Sequence, residues 1–225
     1  MLEYDVKGNL AQVCAELPKD VKLVAVSKFH PDEYVMAAYE EGQRIFGESQ
    51  EQELRGKHER LPKDIEWHFI GHLQTNKVKY IAPYISMIEA VDSMKLMREI
   101  NRQAVKANRV IDVLMELHIA NEDTKYGLTP DAMRELFADG EWKSMENVRI
   151  RGLMAMASNT DDENVIAGEF MVASNLFDEI KALYFPDEPL FDCRSWGMSG
   201  DYHIACRCNS NMVRIGTTIF GPRVY

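Results

Sequence analysis

The sequence predicts an α/β protein folded as a single closed (β/α)8 barrel, a TIM barrel, over residues 1–225. Short apolar runs rich in β-branched residues alternate with segments of helical period along the chain. Eight such runs are found, and no Pro/Gly/Ser linker, low-complexity tract or long single-sign charge run divides them. Closing eight parallel strands on themselves removes both edges that an open sheet would have to protect. An open doubly wound sheet is the alternative that the same alternation permits.

The elements follow in order. An initial helix is expected near residues 2–16, then a strand at Leu23-Val24-Ala25-Val26, short and suited to burial on both faces. After Pro31 the period changes to that of a helix, with Val35, Ala38 and Tyr39 on one face and Gly42 as a stop. Further strands are expected near Arg44–Glu48, Ile65–Gly71, Ile85–Val91, Val110–Ile119, Val148–Met154, Phe191–Gly197 and Met212–Gly216. The helix after the sixth strand has the clearest periodicity, with Ile166, Phe170, Ala173, Phe177, Ile180 and Tyr184 recurring on one side.

Composition narrows the function. At 225 residues with 46% hydrophobic content, the chain can bury a core without staples. A net charge of −10 opposes a polyanion, so neither nucleic acid nor an anionic membrane is expected as a partner. The start of the chain carries early acids and no secretory signal, and no segment approaches a membrane span, which predicts a cytoplasmic protein. Four cysteines are few for this length and fit a reducing compartment. Cys193, His203, Cys206 and Cys208 raise the reading of a zinc site, but the one-residue spacer between Cys206 and Cys208 departs from ligand spacing, and buried thiols are expected instead.

In such barrels the working groups lie where strands end and βα loops begin. Lys28 closes the first strand, and alternation puts Val24, Val26 and Lys28 on one face and Ala25 and Ser27 on the other. Taken alone, it reads either as a solvated cap or as an amine made nucleophilic by partial burial near another cation, able to attack an aldehyde. The last strand supplies Arg214, Gly216 and Thr217 at its carboxyl end: glycine lets the backbone approach an anion, and the amides and the Thr217 hydroxyl donate to it. Ser199, after the seventh strand, adds a donor from the neighbouring loop, so the two loops together form an expected phosphate cup. His68, His72 and His118 are read as packing or hydrogen-bonded histidines, and Lys125 as a solvated loop lysine.

Five strings, in order at successive strand ends, carry a resemblance: Ala25-Val26-Ser27-Lys28, Trp67 through Lys77 (WHFIGHLQTNK), Gly152-Leu153-Met154-Ala155-Met156, Gly197-Met198-Ser199-Gly200-Asp201, and Met212 through Gly221. With them the chain resembles, over nearly its whole length, the pyridoxal phosphate homeostasis protein family, which is similar to the alanine racemase N-terminal barrel (fold type III of the pyridoxal phosphate proteins) without the second β domain. The resemblance implies that pyridoxal 5'-phosphate (PLP) is held by an internal aldimine on Lys28, that Ser199, Gly216 and Thr217 hold its phosphate, and that Arg214 faces the pyridine nitrogen. An arginine there only donates, which discourages protonation of the ring nitrogen and weakens the ring as an electron sink. Two stretches depart from the commoner pattern: Ser49 stands where an asparagine often follows Gly-Glu, so no cofactor contact is expected of it, and Cys206-Arg207-Cys208-Asn209 replaces a small Ala/Gly-rich stretch.

The function implied is a monomeric PLP-binding protein that buffers the cofactor or delivers it to recipient PLP-dependent enzymes, without robust turnover and with no catalytic residue. A PLP-dependent racemase or decarboxylase is the alternative. It is expected to need groups carried on a second domain, whereas this chain ends soon after the eighth strand. A Schiff-base aldolase gripping a phosphorylated sugar is the third reading that the barrel permits.

Overall fold

The computed structural model describes residues 3–120 and 126–222, and its elements alternate as expected. The first half contains α1 (Val6–Glu16), β1 (Lys22–Val26), α2 (Asp32–Glu40), β2 (Ile45–Glu48), α3 (Glu51–Arg60), β3 (Glu66–Phe69), α4 (Val78–Ile81) and β4 (Met87–Val91). The second half contains α5 (Met94–Lys106), β5 (Ile111–His118), α6 (Pro130–Asp139), β6 (Val148–Met156), α7 (Glu163–Tyr184), β7 (Cys193–Ser195), α8 (Tyr202–Arg207), β8 (Met212–Ile215) and α9 (Thr217–Phe220). All neighbouring strands are parallel, and the order β1 to β8 closes when β1 pairs with β8, Val24 lying opposite Arg214.

Several boundaries differ from the sequence reading for local reasons. The first helix begins at Val6, not near residue 2, because the Asp5 side chain caps it by accepting the Gly8 N–H at 3.0 Å. The seventh strand is three residues long: Phe191 closes a turn onto the Glu188 carbonyl, and Gly197, at φ +99°, bends the chain away at the other end. A Cβ at Gly197 would come within 2.6 Å of the Ala205 Cβ, so only glycine lets this loop pack against α8. Lys28 does not close β1 but stands two residues beyond it. The last ladder bond here runs from the Ser27 N–H to the Gly47 carbonyl, and Phe29 then takes the left-handed conformation at φ +66°.

Alternation along the strands builds two separate cores. Ala25, Phe46, Trp67, Phe69 and Val113 pack outward under the helices, while Val24, Met87, Leu114, Met154, Cys193 and Met212 fill the barrel interior. Above this inner apolar layer, toward the carboxyl ends of the strands, the buried residues become polar: His68, Glu89, Glu116, Ser195 and Arg214. Of that polar layer, Arg214 reaches the lining of the cavity at the strand ends.

Candidate cofactor site

A cavity of about 200 Å³ opens at the carboxyl ends of β1, β6 and β8 and in the loop after β7. Lys28, Ser199, Arg214, Gly216 and Thr217, the five residues expected to form a binding site, all line it. Val26, Ile70, Met156 and Met198 supply apolar walls, and His30 and Gly200 complete the lining. The space exceeds the roughly 150 Å³ cavity known to take up a benzene ring. Among the described residues no carboxylate lines it, so a lysine and an arginine share a cavity without a lining anion in a chain of net charge −10.

The arginine is fixed from below. One terminal nitrogen of Arg214 donates to the Ser195 carbonyl at 2.7 Å and to its hydroxyl at 2.6 Å, and the other donates to the Ala155 carbonyl at 2.9 Å. Ser195 Oγ donates in turn to Glu89 Oε2 at 2.6 Å, and the other oxygen of Glu89 lies 2.7 Å from His68 Nδ1. Burial opposes ionisation of Glu89, but its bonds to His68 and Ser195 and the charge of Arg214 prevail and hold its carboxyl below the ordinary range. With Glu89 ionised, the proton it shares with His68 belongs on Nδ1. Glu116 also sits in this layer, and its Oε2 is buried without a hydrogen-bond partner. Burial, aided by the charge of Asp92 and opposed by Arg214, pushes its carboxyl up to about 7.

Two residues beyond Arg214, Gly216 leads β8 into α9. A Cβ there would lie 3.0 Å from the Val26 carbonyl oxygen, so the glycine lets β8 pass close to β1. Ser199 Oγ accepts the N–H groups of Gly216 at 3.2 Å and of Thr218 at 3.4 Å, which joins the loop after β7 to the start of α9. Because the hydroxyl accepts from both amides, its own proton remains a donor. The adjoining Thr217 is exposed. These are donors of the kind that hold an anion's oxygens.

The other sequence candidates fall outside the cavity. His68 is buried and hydrogen-bonded, in keeping with its reading, and acts through Glu89 and not at the lining. His72 lies 3.1 Å from Asp92 Oδ2 and stacks on Tyr126, with ring centroids 4.1 Å apart. Neither His118 nor Ser49 lines the cavity, and Ser49 faces a separate cleft with Gln50 and Lys77. Lys125 lies outside the described residues. Cys193 and Cys208 are buried in different cores, while Cys206 is only half-buried, because α8 turns it toward the surface. The sequence reading did not single out His30, Glu89 or Glu116. A glutamate inside an otherwise apolar strand, as in Met87-Ile88-Glu89-Ala90-Val91 and Leu114-Met115-Glu116-Leu117, was the available signal for two of them.

Comparison with known proteins gives the family. Residues 5–224 match the family model of the alanine racemase N-terminal domain. An alanine racemase of Clostridium difficile superposes with a TM-score of 0.76 over 97% of this chain and 56% of its own, at 15% identity, a likeness of fold alone. Fold and match thus define a barrel of the alanine racemase N-terminal class. A pyridoxal phosphate homeostasis protein of Pasteurella multocida is 38% identical, with 98% of each chain covered, and one of Schizosaccharomyces pombe is 38% identical over 91% of this chain and 85% of its own. PipY of Synechococcus elongatus, whose structure was solved with PLP bound, superposes with a TM-score of 0.85 at 30% identity, covering 96% of this chain and 100% of that one. Within the barrel class, the chain belongs to the pyridoxal phosphate homeostasis protein family.

Proposed function

We infer that the chain is a single cytoplasmic barrel, monomeric, that binds PLP through a covalent bond to the Lys28 amine and serves the intracellular homeostasis of that cofactor. Its action is to buffer PLP or deliver it to recipient PLP-dependent enzymes, without robust turnover of its own. The observation that carries the reading is the meeting of Lys28, Arg214 and the Ser199/Gly216/Thr217 donors around one cavity.

When bound, PLP supplies an aldehyde and an electron-withdrawing pyridine ring. The chain's residues fit both ends of it. Lys28 offers a primary amine at the cavity. The apolar walls exclude water from the ring faces, and the Ser199 and Thr217 hydroxyls and the start of α9 receive the phosphate. Arg214 donates toward the ring nitrogen and keeps a proton off it, since a guanidinium has no acceptor to offer. The racemase or decarboxylase alternative has the likeness of fold in its favour, and fold alone does not carry function.

In its described part the chain has no helix long and apolar enough to cross a membrane. Its negative charge favours neither nucleic acid nor an anionic membrane as partner. Borohydride reduction of the PLP-loaded protein, followed by peptide mass analysis, tests the assignment. The expected product is a pyridoxyl-phosphate mass increment on the peptide containing Lys28, absent in Lys28→Ala, which should keep its fold. Full retention of the bound chromophore in Lys28→Ala would reject the reading.

A further inference from the structure

Behind Lys28, on the outer side of the barrel wall, lies a buried ionic cluster that the site described above does not use. Lys57 of α3 has a side chain only 3% exposed, and its amine donates to Glu48 Oε1 at 2.8 Å, to Glu53 Oε1 at 2.7 Å and to the carbonyl oxygen of Ser27 at 2.8 Å. All three ammonium donors are therefore matched. Ser27 Oγ donates to the same Glu48 oxygen at 2.6 Å, and the Phe29 N–H donates to the same Glu53 oxygen at 2.7 Å. The residues on either side of Lys28 are thus bound into one cluster, Ser27 by its carbonyl and hydroxyl, Phe29 by its amide.

The backbone shows what this attachment does. Phe29 is bulky, lacks glycine's freedom and stands at φ +66°, a conformation that persists only where surrounding contacts over-determine it. Glu53 receives the amide of that residue, and Lys57 holds Glu53 in place. A buried ion cluster is weak evidence for stability, because apolar residues of similar shape often serve as well. Its hydrogen-bond directions, by contrast, fix geometry that an apolar contact leaves loose.

We propose that Lys57, with Glu53 and Glu48, is a positioning cluster that locks the Ser27–Phe29 turn and so aims the Lys28 amine at the aldehyde carbon of a ligand in the cavity. The inference rests on the reading of Lys28 as the covalent anchor. In capture, the neutral Lys28 Nζ attacks the aldehyde carbon, a C=N bond forms, and the aldehyde oxygen leaves as water with the two amine protons. Lys57, Glu53 and Glu48 touch neither reacting atom. They act on the angle and distance of approach, where a small misplacement is costly in rate.

Full-length Lys57→Met, Glu53→Ala and Glu53→Gln test this, after circular dichroism has shown that each is folded. Two probes are used: PLP, whose capture is followed by absorbance under single-turnover conditions, and pyridoxamine 5'-phosphate, which fills the same cavity but has no aldehyde. Lys57→Met and Glu53→Ala are expected to slow capture roughly 10- to 100-fold while changing the Kd for pyridoxamine 5'-phosphate little. Glu53→Gln keeps an oxygen that accepts from Phe29 and Lys57, and is expected to recover most of the rate. Glu53 is the more exposed of the two carboxylates, so Glu53→Ala remains informative if Lys57→Met does not fold. Wild-type capture rates in Glu53→Ala, or equal losses with both probes, overturn the proposal. A wild-type protein that yields no Lys28 adduct after reduction overturns the functional reading first, and this inference with it.

Discussion

Ser195 links Arg214 to Glu89: its hydroxyl accepts from the Arg214 guanidinium at 2.6 Å and donates to the Glu89 carboxylate at 2.6 Å. Arg214 and Glu89 also lie 3.8 Å apart as a buried ion pair. Removing one member of such a pair leaves the other charged and unopposed. Arg214→Gln is therefore expected to cost about 3 kcal/mol of stability and to change the absorbance of bound PLP. Adding Glu89→Gln should restore most of the stability and none of the spectrum. Urea denaturation and absorbance measured on the single and double variants separate the two effects.

In the proposed function Thr217 acts on phosphate and Arg214 on the ring, so their variants should differ in ligand preference. Thr217→Val is expected to weaken PLP binding roughly 10-fold, the worth of a hydrogen bond to a charged group, and to leave the affinity for unphosphorylated pyridoxal nearly unchanged. Competition titrations with the two compounds measure the difference. Equal losses for both would count against the phosphate cup.

Glu116 gives a pH dependence of known sign. Its carboxyl is pushed up to about 7 by burial, so the folded protein binds its proton more tightly than the unfolded chain does. The stability this contributes is present below the ordinary carboxylate range and is lost as pH rises toward about 7, on the order of 3 kcal/mol in all. Glu48 is also pushed up to about 7 by burial and acts in the same direction, whereas Glu89, held low, acts oppositely and in more acidic solution. Glu116→Gln should thus be more stable than wild type at about pH 8 and similar to it near pH 4.5. Denaturation midpoints across that range check that the two proteins converge as pH falls.

The PLP-loaded protein is expected not to racemise single enantiomers of common amino acids at an enzyme-like rate. Racemisation needs a proton removed on one face and returned on the other, together with a ring able to hold the electron pair. In the proposed placement at the ring nitrogen, Arg214 works against the second requirement. Chiral analysis and exchange of the α-proton with deuterium oxide measure the rate. Many cycles per bound cofactor, abolished in Lys28→Ala, would establish an enzyme.

Much of the site was legible in the sequence because strand alternation is a local property. Val24, Val26 and Lys28 do share a face, with Val24 inside the barrel and Val26 and Lys28 at the cavity, while Ser27 turns outward to Glu48. Phosphate-type donors after β7 and β8 were likewise visible as short strings at strand ends. What escaped depended on distant pairing. Lys57 sits in Glu51-Gln52-Glu53-Leu54-Arg55-Gly56-Lys57, a stretch charged enough to read as a solvated face, and it is buried only because Glu48 and the Ser27 carbonyl meet it there. The interior ionic layer escaped for the same reason: His68, Glu89 and Ser195 belong to three different strands, and their complementarity appears only when the barrel closes.

That closure has a consequence for the order of assembly. Lys28 follows β1, and Arg214 and Thr217 belong to β8 and α9, so the cavity straddles the seam where the first strand meets the last. Contacts so distant in sequence form late and slowly, after nearly the whole chain is available. A nascent chain leaving the ribosome therefore holds Lys28 long before it holds Arg214 and Thr217. Ligand capture in this cavity reports a finished molecule, and a fragment stopped before β8 presents the amine without the rest of the grip.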